Sequence, residues 1–110
     1  MISLDVYFNA KDGNDAELER VIVDVWMEAM KQQPGFISAS LMTPLPQEAL
    51  DAMGAIKPPF SHEVFSFWES EEQRQAWVAR DIHQEVWPQV EAAAEVIVYT
   101  VSNCDESWNI

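Results

Sequence analysis

Cysteine is almost absent from this chain. Cys104 is the only one in 110 residues, so an internal disulfide is excluded and no cysteine cluster can hold a metal. Glycine is scarce as well. The three glycines are not grouped, which leaves no glycine-rich loop to cradle a phosphate and argues against a nucleotide cofactor. Basic residues are few, with 6 Lys+Arg against 19 Asp+Glu and a net charge of −13. Phosphate backbones and anionic lipid surfaces are repelled by such a chain, so nucleic-acid and membrane-surface roles are disfavoured. The acidity serves solubility, or a salty habitat.

Histidine is limited to His62 and His83. They offer no recognised ligand spacing, and no metal site is expected. No Ser-His-Asp arrangement stands out, and Cys104, in the expected tail, is a poor nucleophile. Long apolar runs are missing too. Ile2 to Phe8 is short and interrupted by Asp5, which does not suit a signal peptide, and no segment is long enough to span a bilayer. A cytoplasmic protein is expected.

Periodicity is what the chain does have. Ile2, Leu4, Val6 and Phe8 alternate with Ser3, Asp5 and Tyr7, a strand with one apolar face. Leu18, Val21, Ile22, Val25, Trp26, Ala29 and Met30 recur at three- and four-residue steps, a helical stripe that Pro34-Gly35 ends. Phe36 to Met42 reads as a second strand. The segment from Pro44 to Phe60 holds one or two helical turns at Gln47 to Met53, and such a long connection suits a lid or binding loop. Residues 61–68 make a third strand. Ser70 with Gln73 forms a capping box for a second helix, and Pro88 predicts a kink or a new start within it. Val96 to Val101 is the fourth strand. One domain is expected over 1–101 with a tail at 102–110, where Trp108 and Ile110 are placed to dock on a neighbour.

The order is βαββαβ. It predicts an α+β, ferredoxin-like fold: an antiparallel sheet with two helices on one face. Phe65 and Phe67 point opposite to Val64, Ser66 and Trp68, so the second sheet face also carries large apolar groups. A second copy packed sheet to sheet is the economical cover, hence a homodimer.

Several side chains carry candidate chemistry. An imidazole at His83 or His62 can act as a general base near neutral pH. Trp68, Trp77 and Trp87 offer flat walls suited to an aromatic ligand, and Trp87 lies four residues after His83, on one helical face. Tyr7 and Asn9, late in the first strand, can donate hydrogen bonds to a ligand oxygen. Trp26 is expected in the core.

Pro34-Gly35-Phe36, the strand ending in Trp68, Ser70-Glu71-Glu72 and the later His83 together resemble the antibiotic biosynthesis monooxygenase-like family. The resemblance covers most of the chain and implies a dimeric α/β barrel. Members include cofactor-free oxygenases, haem-degrading enzymes and proteins of unknown activity. In the haem-degrading branch a histidine follows the helix tryptophan by ten residues. Trp77 matches that tryptophan, but Trp87 stands where the histidine would be, so haem degradation is not expected.

The reading is a cofactor-independent monooxygenase acting on a small electron-rich phenol or quinol. Trp68, Trp77 and Phe65 are walls, His83 or His62 the base, and Tyr7 or Asn9 the donor. The alternative is a dimeric binding or structural module. The discriminating feature is the space between sheet and helices. If it is open and holds a histidine, the enzyme is favoured. If Trp68 and Trp77 fill it, the module is.

Overall fold

The computed structural model describes residues 1–108. Ile110 lies outside them, and Trp108 is exposed. Four strands form the sheet: β1 (Ile2–Ala10), β2 (Phe36–Met42), β3 (His62–Trp68) and β4 (Ala94–Asn103). Their spatial order is β2-β3-β1-β4 and all pairs are antiparallel. The ferredoxin-like order and the α+β class follow.

One part of the expectation is overturned. The sheet is not closed into a barrel: β2 and β4 are its two edges, and no pairing joins them among the described residues. Four strands are too few to curl round on themselves, since strand tilt and stagger must bring first and last strands together. The fold is an open sheet covered on one face.

The first helical region is not uniform. It runs as α1 (Asp15–Arg20), a π-helical segment (Val21–Met27) and α2 (Glu28–Met30). The apolar stripe survives, with Leu18, Ile22, Trp26 and Met30 buried against Val6, Phe8, Val64 and Trp68. Trp26 lies within the π-helical segment, a type of distortion often found beside functional sites.

In the 44–60 segment α3 (Gln47–Met53) forms as expected, with Leu50 inward but Met53 exposed. The turn before β2 uses Gly35 at φ +86°, and a Cβ there would fall 2.5 Å from the Gln73 side chain. Only glycine fits both the left-handed backbone and that approach. Gln73 in turn belongs to the cap of α4 (Glu71–Val78), where its backbone N–H donates to Ser70 Oγ at 3.2 Å. The Pro-Gly turn and the capping box therefore lock together.

The second helix breaks at Ala79-Arg80, not at Pro88. Arg80 is extended, and α5 (Asp81–Ala93) passes through Pro88 without interruption. Proline removes one hydrogen bond, the one to Gln84. Both residues lie on the exposed side of α5, where water can serve the freed carbonyl. No helix among the described residues is long and apolar enough to cross a membrane.

Candidate functional site

The helices cover β1 and β3 well but leave the β4 side of the same face open. Tyr99 pairs with Val6 and Val101 with Leu4, so both share the helix-covered face, yet they are 64% and 39% exposed. Into this gap opens a cavity of about 680 Å³ between the sheet and α4–α5. Ligand pockets commonly measure about 300–1,000 Å³. Leu4 and Val6 make its floor, and Trp26, Trp77, His83 and Trp87 its aromatic wall.

The wall is built by helix spacing. His83 sits in the first turn of α5 and Trp87 one turn later, so the two rings stack at 5.8 Å with 20° between their planes. Trp77, near the end of α4, meets His83 edge-on at 4.9 Å. Trp26 closes the other side against Trp87 at 5.2 Å.

His83 is buried at 9% exposure, and its Nδ1 has no hydrogen-bond partner among the described residues. Trp26 Nε1 is likewise buried and unpartnered. Two orphaned polar atoms on residues lining one apolar cavity are costly unless something satisfies them. Burial holds the His83 pKa below the usual histidine value, and the positive charge of Arg74 pushes it the same way. His83 is thus a neutral imidazole at neutral pH, able to accept a proton.

The other expected site residues lie elsewhere. Trp68 is fully buried on the helix-covered face but outside the cavity, with its Nε1 donating to Ser66 Oγ at 3.2 Å and its ring edge-on to Phe36. Phe65 is half-buried on the opposite sheet face, paired with Asp5. Asn9 ties down the chain before β3: its Oδ1 accepts from Ser61 N–H at 3.0 Å and its Nδ2 donates to Pro59 O. Tyr7 and His62 meet at a second, smaller cavity of about 130 Å³, lined also by Pro44, Pro58, Phe60 and Glu63. The 44–60 segment covers this small cavity and does not line the large one.

The sequence profile of the family described as antibiotic biosynthesis monooxygenase matches residues 1–89. The chain belongs to this family. Among curated proteins nothing matches it. Solved structures do. A mutant of SnoaB, a cofactor-independent oxygenase from Streptomyces nogalater, is similar with a TM-score of 0.76 at 13% identity, over 96% of this chain and 94% of that one. A candidate antibiotic biosynthesis monooxygenase from Deinococcus radiodurans gives 0.76 at 15% identity, over 100% and 98%. A dimeric ferredoxin-like protein of unknown function from Thermobifida fusca gives 0.68 at 13% identity, over 91% and 87%. At such identities the likeness is one of fold.

Within this antibiotic biosynthesis monooxygenase fold, no three His, Cys, Asp or Glu side chains gather to hold a metal among the described residues. The polar lining that sequence reasoning missed consists chiefly of Arg74, Tyr99 and Glu91. Arg74 had a signal, since it precedes Trp77 by three residues on one helix face. Tyr99 had none, because its place depends on the register of β4 against β1.

Proposed function

We propose that the large cavity is the active site of a cofactor-independent monooxygenase that oxidises a small electron-rich phenol with dioxygen. One observation carries the reading: a buried, neutral histidine with an unpartnered nitrogen stands in an open, tryptophan-walled cavity. Family membership supports an oxidoreductase role in general, and the description of SnoaB as a cofactor-independent oxygenase supports the absence of a cofactor. The tryptophans do not fill the space, which favours the enzyme over the binding module.

His83 takes the phenolic proton. The phenolate passes one electron to dioxygen, and the resulting pair joins through a C–O bond at the para carbon. Loss of that carbon's proton and cleavage of the O–O bond give a quinone and one water. One phenol and one dioxygen are consumed per quinone. The protein's share is an aromatic wall, fixed orientation and the base. Oxygen uptake by the full chain with naphthols that carry hydrogen at the para carbon tests this. Quinone formed with added chelator and no flavin supports it, and no uptake with any phenol or quinol defeats it.

The protein is further proposed to act as a homodimer of two open sheets stacked on their helix-free faces. Phe65 and Phe67 of β3 and the exposed Met42, Val96 and Val98 share that face by register. Asp5 lies among them with one buried, unpartnered oxygen, and its carboxyl is pushed up by burial. Phe67→Asp should dissociate the dimer, because a buried unpaired charge costs about 3–5 kcal/mol. Sedimentation of the parent protein as a compact monomer at micromolar concentration would remove this reading.

A further inference from the structure

Among the described residues Arg74 is the only lysine or arginine lining the large cavity. Its side chain is 13% exposed, which is rare for a guanidinium and calls for partners. Glu71 grips it at two points: Nε donates to Oε2 at 2.7 Å and Nη2 donates to Oε1. The fork fixes the guanidinium plane and leaves Nη1 without an acceptor among the described residues. A guanidinium held this way can bind an anion with little further ordering. Tyr99, from β4, lines the same cavity and adds a phenolic hydroxyl.

We infer that the aromatic ligand of this cavity is an acid, whose carboxylate meets Arg74 and Tyr99 while its rings lie along Trp77 and Trp87. The inference rests on the reading of the cavity as an aromatic site and adds the class of compound it takes. The chain's net charge of −13 opposes an anion only at a distance, and that repulsion is screened beyond about 8 Å at physiological ionic strength. A charge-assisted hydrogen bond at contact is screened far less. Glu91, the one carboxylate side chain lining the cavity among the described residues, is exposed, so its own charge is met by solvent.

Calorimetric titration of the full chain with a hydroxynaphthoate and with its methyl ester tests this. The acid should bind about tenfold tighter or more, the range of one hydrogen bond to a charged group. Arg74→Gln should remove the acid's advantage and leave the ester's affinity in place, and Arg74→Lys should restore part of it. Glu71→Gln keeps Arg74 but releases its guanidinium plane, so it should lower acid affinity and leave the ester's in place. An acid preference that survives Arg74→Gln overturns the inference, as does an ester that binds as well as the acid. If the Arg74 variants do not fold, unchanged acid affinity in Glu71→Gln overturns it. Failure of both ligands to bind the parent protein would instead defeat the aromatic site itself, and the inference with it.

Discussion

Two cavities in this fold each hold a histidine, and they differ in what those histidines have left to offer. His62 is 3% exposed and its Nδ1 lies 2.8 Å from Ser61 Oγ. Ser61 itself is bound on both sides, donating to Phe8 O and accepting from Ala10 N–H, and Glu19 stands 3.7 Å from the other ring nitrogen of His62. The space beside it is about 130 Å³. His83 has no partner at Nδ1, which is itself buried, and its ring lies between two tryptophans on the wall of a cavity of about 680 Å³. Burial alone does not separate the two. A histidine tied down at a ring nitrogen beside a small space is part of the scaffold, while one whose ring lines a large cavity and is not tied down is placed for chemistry.

The comparison is most sharply tested by His83→Ala. A general base contributes about 10²–10⁴-fold, so quinone formation should fall at least to the lower end of that range. The far-ultraviolet circular dichroism should be unchanged, since His83 lies at the start of α5 and its loss leaves the β1 and β3 core in place. An unchanged rate would reverse the roles given to the two cavities.

Acid pH provides a second test, with a smaller effect. His83 titrates below the usual 6.5 because it is buried and faces Arg74. As a base it must be neutral, so kcat/KM should stay flat from neutral pH down through pH 6.5 and fall only at more acid values. Arg74→Gln removes one of the two causes and should move the falling limb to higher pH. Stability follows the same proton. Between the folded and unfolded pKa values the unfolded chain holds more protons, so stability rises with pH there. This contribution is complete above about pH 6.5, the unfolded value, and is lost as pH falls toward the folded one. Chemical denaturation from neutral to acid pH should show that loss in the parent and not in His83→Ala.

Much of the fold could be read from spacing. The alternation in β1 and β3, the stripe from Leu18 to Met30 and the Ser70–Gln73 cap all reappear in the structure, because each is a local pattern that one element can satisfy. The site was less legible. Alternation on β3 puts Phe65 opposite Trp68, so both could not wall one cavity on one sheet face, and neither lines the large one. Trp26 reads as core on the stripe, yet the π-helical segment also carries it to the cavity. Closure into a barrel concerns how strand edges meet in space, which no local pattern encodes. The four strands remain an open sheet.

The smallest effect is expected from His62→Ala. Its ring nitrogen is engaged by Ser61, and the small cavity beside it lies at the end of β1 and β3, under Pro44, Pro58 and Phe60. Removing the imidazole side chain should cost stability, about 1 kcal/mol for the lost hydrogen bond to Ser61 and more for the space a buried ring leaves, while Ser61 keeps Phe8 and Ala10 as partners. Turnover of the phenol should stay close to that of the parent, since no residue of the small cavity lines the large one. Thermal unfolding and oxygen uptake on the same preparation separate the two effects. A lowered melting temperature with turnover retained would confirm His62 as scaffold. Turnover lost in His62→Ala and kept in His83→Ala would move the base to the small cavity, beside Tyr7, and would make the 44–60 segment the cover of the working site.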